Sequence, residues 1–171
     1  MRILGMMMVF IACSGIGITY SYIYKKRVEQ LCEWKKGIVL LKNEINYSLT
    51  PLPEAFEIIG RKLEGVMNRF FDEIAALLKT NNNKTMSSLD EKVIKKLLID
   101  SCLNEKDRKT IISFIKNLGL LDKESQMNNL ELHINYIQQE IDAAKKDEEK
   151  NNKLFKTLGI LSGIFIIVIF I

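Results

Sequence analysis

The charged residues of this chain are distributed very unevenly, and that distribution limits its possible folds more than any average property. Residues 3–24 contain no charged side chain, and neither do residues 158–171, whereas the segment between them holds nearly all of the 25 Lys and Arg and all of the 21 Asp and Glu residues. A helix over residues 3–24 would rise about 33 Å, enough to cross a hydrocarbon layer about 30 Å thick. A helix from Leu154 to Ile171 would rise about 27 Å if Lys156 extends to the interface. The two ends therefore predict two transmembrane helices.

Basic residues next to these segments predict which side of the membrane holds the middle of the chain. Tyr20, Tyr22 and Tyr24 are followed directly by basic residues 25–27, and further lysines lie within residues 150–156. Since Lys and Arg near a span resist translocation, we expect the middle to stay in the cytoplasm. The predicted organisation is a transmembrane helix at 1–24, a cytoplasmic helical bundle at 25–156 and a C-terminal transmembrane helix at 157–171.

The middle segment is predicted to be all-α. Its only prolines, and the only two of the chain, lie in Thr50-Pro51-Leu52-Pro53, and apolar residues recur at spacings of three and four, with no sustained alternation of period two. Two long stripes stand out: Val28, Leu31, Trp34, Ile38, Leu41, Ile45 and Leu49, and Met127, Leu130, Ile134, Ile137, Ile141 and Ala144. Both continue from a predicted span, so they predict an antiparallel, coiled-coil-like pair of long helices that braces the bundle.

Shorter helices are predicted between the two long ones. Thr50 and Pro51 are suited to be the N-cap and first-turn proline of a helix that includes Ala55, and further helices are expected over 66–79, 89–101 and 104–118, with a linker at 80–84. Gly119 is expected to end the fourth of these in the left-handed conformation, and Asp122 to cap the final long helix.

The sequence offers few of the parts that catalysis or metal binding needs. His133 is the only histidine and lies beside the second stripe, where it is expected to be a helix-flank residue, and no CxxC, HExxH, GxSxG or phosphate-loop spacing occurs. We expect Cys13, Cys32 and Cys102 to be free thiols in a reducing compartment. The sequence predicts a protein that is not an enzyme and has no catalytic residue, metal or cofactor.

Nucleic acid is not an expected partner. The net charge is only +4, and the basic residues are interleaved with acidic ones rather than gathered into an arginine-rich or aromatic strip.

Small residues within the predicted spans indicate close helix packing. Gly159 and Gly163 form a GxxxG pattern, and Cys13, Gly17 and Ser21 fall on one helical face. Such faces allow helix backbones to approach closely in lipid, although glycine is also common in spans that make no such contact. Whether the two faces pack on each other stays open.

Four short motifs, in order along the chain, carry a resemblance to the stage III sporulation protein AB family of endospore-forming bacteria. They are a first span that ends in basic residues; Glu44-Ile45-x-Tyr47-x-x-Thr50-Pro51-Leu52-x-Glu54-Ala55; Leu118-Gly119-x-x-Asp122-x-x-x-Gln126; and Leu158-Gly159-x-Leu161-x-Gly163. The resemblance implies a relation to the inner-membrane platform proteins of type II secretion and type IV pilus systems.

What the resemblance implies about function is a scaffold role. The family is associated with a transport complex between mother cell and forespore, so we expect a multi-pass protein of the outer forespore membrane on the mother-cell side. It would couple a cytoplasmic secretion-type ATPase to membrane partners, and a homo-oligomer is compatible with this role. We also predict that the second and third motifs form a membrane-distal tip, where exposed Glu54 and Gln126 contact the ATPase. The alternative is that these motifs only cap helices and set turns.

Two other interpretations of the whole chain remain open at this point. Cleavage before Cys13 would give an extracytoplasmic lipoprotein that acts as a binding module, although the apolar run continues well past Cys13. A small membrane-perturbing protein of the holin or toxin kind would also have two spans, but it has no need of a capped bundle about 130 residues long.

Overall fold

The computed structural model of the protein describes residues 2–48, 50–80, 86–119 and 122–170, and the side chains of 19, 21–48, 50–80, 86–119, 122–151, 153, 154 and 157. Six α-helices occur in these residues, with no strand, which confirms the predicted all-α class. They are α1 (Arg2–Asn43), α2 (Leu52–Gly60), α3 (Gly65–Thr80), α4 (Glu91–Leu97), α5 (Glu105–Asn117) and α6 (Lys123–Phe170). A π-helical turn, Glu44–Ser48, follows α1, and a 3₁₀ turn, Met86–Ser88, precedes α4.

The chain divides into two compact units. One comprises Met1–Val28 and Asp142–Ile171, and the other comprises Glu29–Ile141. In the first unit, Arg27 pairs with Asp147 at 3.6 Å, and Val28 and Ala144 are buried. The second unit holds the rest of α1 and α6 together with α2 to α5.

Within the second unit, α1 and α6 are antiparallel, as the stripes predict. Lys35 donates to the side-chain oxygen of Gln138 at 2.6 Å, while Lys42, two turns further along α1, meets Glu131, two turns earlier on α6, at 2.8 Å. The stripe residues face inward: Leu31, Trp34, Ile38, Leu41, Leu130, Ile137 and Ile141 are buried, while Ile45, Met127 and Ile134 are half-buried. Leu49 lies outside the described residues.

Aromatic rings fill the centre of this unit. The indole of Trp34, which is fully buried, lies 5.9 Å from the ring of Phe70 and 5.6 Å from that of Phe71 on α3, and 5.8 Å from that of Phe114 on α5. Its Nε1–H donates to Nε2 of His133 on α6 at 3.0 Å. His133 therefore lies beside the stripe, as predicted, and gives the buried indole its hydrogen-bond acceptor.

The short helices agree with the sequence in number, and one of them, α4, is shorter than predicted. The Asn104 amide caps α5 in a reciprocal capping box with Asp107, and Ile111, Ile112, Phe114 and Ile115 face inward as expected. The prediction of one helix over 89–101 is wrong at both ends, because Asp90 caps α4 and the helix ends at Leu97. Both the N–H and the hydroxyl of Ser101 donate to the carbonyl of Leu98, which closes a turn instead of continuing the helix.

Some predictions fall on residues about which the structure says little. The proposed linker, apart from Thr80, lies outside the described residues. The exposure and packing of Cys13, Gly17, Gly159 and Gly163 are likewise not described. Ser21 is half-buried. Within the described part of the chain, no helix combines the length and the apolar character that a membrane crossing requires, so the predicted spans are not confirmed.

The half-buried imidazole of His133 predicts a specific loss of stability in mild acid. Burial lowers the pKa of His133 from 6.5 to about 4. As the pH falls from about 7 to about 4.5, the unfolded chain binds a proton that the folded chain does not, so the free energy of unfolding should decrease by about 2 kcal/mol through this residue alone. Urea unfolding of the wild type and of His133→Gln across this range measures it.

The Gln side chain retains an acceptor for Trp34 but does not titrate. The carboxylates lose their ion pairs equally in both proteins, so the difference between the two isolates His133. Parallel pH profiles for wild type and variant would contradict the assignment.

Candidate interaction surface at two helix ends

The end of α1 forms the first part of the surface. The π-helical turn Glu44–Ser48 leaves the Tyr47 side chain 81% exposed, the highest value among the large apolar and aromatic side chains that the structure describes. The Glu44 carboxylate accepts a hydrogen bond from the Thr50 hydroxyl at 3.3 Å and lies 4.0 Å from the Lys62 ammonium. These contacts tie the turn to the start and the end of α2.

The start of α2 differs from the prediction by one residue. Pro51, not Thr50, occupies the N-cap position, with φ −56° and ψ 145°, and its carbonyl accepts the Ala55 N–H at 2.9 Å. Thr50 cannot act as the cap because the helix begins a residue later, and its hydroxyl donates to Glu44 instead. Pro53, in the first turn, has no N–H to leave unsatisfied. Ala55 is fully buried and Glu54 is exposed.

The second part of the surface is the turn between α5 and α6. Leu118 is buried, and Gly119 has φ +82°, which confirms the predicted left-handed residue. The Asp122 carboxylate accepts the Ser125 N–H at 3.1 Å, which confirms the predicted cap of α6. Hydrogen bonds from the side chain and the N–H of Ser125 hold the pKa of Asp122 below its usual value.

The structure brings the two parts together. A Cβ atom added to Gly119 would lie 3.1 Å from Cδ1 of Leu52, and the Lys123 ammonium donates to the Asn46 carbonyl at 3.0 Å. We call residues 44–48, 50–55, 118, 119 and 122–126 the turn cluster. Tyr47, Pro51, Glu54, Gly119 and Asp122 are exposed on it, whereas Gln126 is half-buried, contrary to the expectation that it is exposed.

The turn cluster is suited to protein contact rather than to chemistry. It presents an exposed aromatic ring and three exposed carboxylates, those of Glu54, Asp122 and Glu124, and tyrosine is enriched in protein interfaces. No group of three or more His, Cys, Asp or Glu among the described residues is arranged to hold a metal ion. Cys32 and Cys102 are free thiols, and Cys13 lies outside the residues whose side chains are described.

Comparison with known proteins identifies the family. A family model described as "Stage III sporulation protein AB" matches residues 2–171. The chain belongs to this family. It is similar to the stage III sporulation protein AB of Bacillus subtilis (strain 168), with 24% identity over 169 residues that cover 99% of this chain and 98% of the relative.

A solved structure supports the fold. A chain described as stage III sporulation protein AB matches with a TM-score of 0.67 and 21% identity, and the match covers 73% of this chain and 98% of the solved one. The family's description names a sporulation protein and no enzymatic activity.

Three members of the turn cluster's contact network were not predicted from the sequence. Asn46 acts through its backbone carbonyl, and Lys62 and Lys123 act across turns, so no local pattern in the sequence indicates them. Thr50, Pro51, Gly119 and Asp122 are found from the sequence because caps and turns depend on residues close along the chain, whereas Glu44, Tyr47, Leu118 and Gln126 are indicated by the family resemblance.

The close approach of the two turns predicts the cost of a methyl group at Gly119. An alanine there is strained at φ +82° and also presses on Leu52, so Gly119→Ala should lower the free energy of unfolding by about 2 kcal/mol. Gly65→Ala is the matched control, since Gly65 has φ +60° with no atom within 4 Å of an added Cβ, and it should cost about 1 kcal/mol. Urea unfolding compares the two, and equal losses would contradict the contact between the turns.

Proposed function

We propose that this protein is a non-enzymatic, membrane-anchored scaffold of a sporulation transport complex between mother cell and forespore, and that its turn cluster contacts the complex's secretion-type ATPase. The observation that carries the proposal is the convergence of two separate family motifs on one exposed surface, through Leu52 against Gly119 and Lys123 on Asn46. Capping the helices does not require the Tyr47 ring, which is 81% exposed on this surface.

The exposed side chains of the turn cluster support a protein partner. Tyr47 is held by a turn that Glu44 ties to Thr50, so the ring is displayed on an ordered backbone and loses little entropy on binding. Glu54, Asp122 and Glu124 give the same surface three exposed acidic groups against one exposed lysine, Lys123, and this balance favours a basic patch on the partner. The local roles of Thr50, Gly119 and Asp122 in turns and caps are compatible with this contact.

The sequence of the two ends supports membrane anchoring. Residues 3–24 and 158–171 carry no charge. Among the described side chains, Tyr22 and Ile23 at the end of the first segment are 56% and 41% exposed, and Leu154, shortly before the second segment, is 47% exposed. The Lys26 ammonium lies 5.4 Å from the centre of the Tyr22 ring. Aromatic, apolar and basic side chains in this order are typical of a helix that leaves lipid through the headgroup layer.

A double variant tests the ATPase contact. Replacing Tyr47 by Ala and Glu54 by Lys removes the exposed ring and reverses one charge, and it should weaken association with the ATPase by about tenfold or more. Association is measured by co-purification and by titration of the purified proteins. The matched control is Ile99→Ala with Glu73→Lys, which changes an exposed apolar and an exposed acidic residue outside the turn cluster. Unchanged binding by a folded Tyr47/Glu54 variant rejects the contact.

A topology map tests the anchoring. A reporter that functions only in the cytoplasm should be active when fused after residue 90, because the basic residues at 25–27 retain the middle of the chain. A reporter that functions only after export should be active when fused after residue 171. Export of the reporter at residue 90 would overturn the two-span arrangement. Mass spectrometry of the purified N-terminus provides a separate check, since a diacylated Cys13 would establish the lipoprotein alternative.

A further inference from the structure

A groove runs between α5 and α6 on the second unit, outside the turn cluster. It has a volume of about 470 Å³ and is lined by Lys109, Thr110, Ser113, Phe114 and Asn117 of α5 and by Asn129, Leu132, His133 and Tyr136 of α6. Phe114 and His133 are stacked, with ring centroids 4.1 Å apart, and provide an apolar aromatic floor. Leu132 stands 69% exposed at the edge of the groove. Neither the family motifs nor the helix stripes account for an exposed leucine at this place.

The walls of the groove hold polar groups whose hydrogen-bonding capacity is not used within the described residues. The side chains of Ser113, Asn117 and Asn129 make no hydrogen bond to the part of the chain that the structure describes. The hydroxyl and the two amides can each donate and accept hydrogen bonds. They can therefore bond to the backbone or to the polar side chains of a bound peptide. An apolar floor with a few convergent polar groups is the usual composition of a binding groove.

The lining of the groove carries positive charge only. Lys109 is the only charged residue in its lining, and no carboxylate lines it. The nearby carboxylates on the same helices are paired with other lysines: Glu105 with Lys95 at 3.1 Å, Glu131 with Lys42 at 2.8 Å and Glu140 with Lys106 at 2.6 Å. These pairs lower the pKa of Glu105 and of Glu131, and raise that of Lys106. Lys109 makes no ion pair within 4 Å among the described residues, and its charge adds a weaker Coulombic contribution to the lowered pKa of Glu105, one turn earlier on α5.

We infer that this groove is a second protein-binding site, distinct from the turn cluster, and that it takes an acidic amphipathic segment of a partner protein. An apolar side chain of the segment packs against Leu132, Phe114 and the ring edge of Tyr136. A carboxylate of the segment pairs with Lys109, and the amides of Asn117 and Asn129 bond its polar groups. Complementary charge selects an acidic segment over a basic one. Lys109 can pair with a carboxylate of the segment, whereas the lining has no carboxylate to pair with a basic segment.

Peptide binding to the purified full-length chain tests the inference. The probe is a fluorescein-labelled helical peptide with one leucine- and phenylalanine-bearing face and one glutamate-bearing face, and its twin has lysine in place of each glutamate. The anisotropy titration should give binding of the acidic peptide at least about tenfold tighter than that of the lysine twin. Hydrogen exchange measured by mass spectrometry should show protection of 105–117 and 129–136 when the acidic peptide is bound.

Two variants with matched controls locate the binding. Lys109→Glu should weaken the acidic peptide about tenfold, and Ser113→Trp, which fills the groove from an exposed position, should abolish binding. The controls Lys92→Glu and Ala76→Trp make the same changes at exposed positions on α4 and α3 and should bind as the wild type does. Circular dichroism confirms that each variant is folded.

Several outcomes overturn the inference. Equal binding of the two peptides rejects charge selection, and unchanged binding by Lys109→Glu and Ser113→Trp places the peptide elsewhere. If the chain self-associates in sedimentation equilibrium and Ser113→Trp abolishes that association, the occupant is a second copy of the chain. Association with the ATPase through the turn cluster should be unaffected by Ser113→Trp, so the two proposals fail separately.

Discussion

The indole of Trp34 is the contact on which the second unit depends. It is fully buried and meets α3 through Phe70 and Phe71, α5 through Phe114 and α6 through His133, so four helices share one side chain. A buried indole N–H without an acceptor costs about 1–3 kcal/mol, and the only histidine of the chain removes that cost. His133 is thus positioned by the needs of the core, and the same position makes it, with Phe114, the floor of the α5–α6 groove.

Periodicity and local chemistry were sufficient to predict most of the fold. The two stripes identify the long helices because every third or fourth residue must be buried when two helices pack side by side, and Trp34, Ile38, Leu130 and Ile137 are buried accordingly. The capping residues Asn104 and Asp122 were recognisable because a cap acts within four residues of itself. The C-terminal boundary of α4 is not predictable in this way, since the hydroxyl of Ser101 competes with the helix for the Leu98 carbonyl while apolar spacing continues through Ile99.

The two candidate surfaces also differ in how far the sequence predicts them. The motif residues of the turn cluster could be selected from sequence, but their meeting depends on the antiparallel packing of α1 on α6, which brings Lys123 to Asn46. The sequence predicts that Gln126 lies in the first turn of α6 but does not show which residues pack beside it, so the prediction that it is exposed is wrong. The groove is not predictable from the sequence, because it exists only where the side chains of two consecutive helices, α5 and α6, leave a gap that none of them fills.

Because Trp34 is hydrogen-bonded to His133, its fluorescence is a probe of the core. Trp34 is the only tryptophan, so the tryptophan emission of the chain arises at the junction of four helices. Protonation of the imidazole would put a positive charge against the indole, and separation of any one of the four helices would admit water to it. A single spectrum therefore records both the ionisation of the core and its integrity.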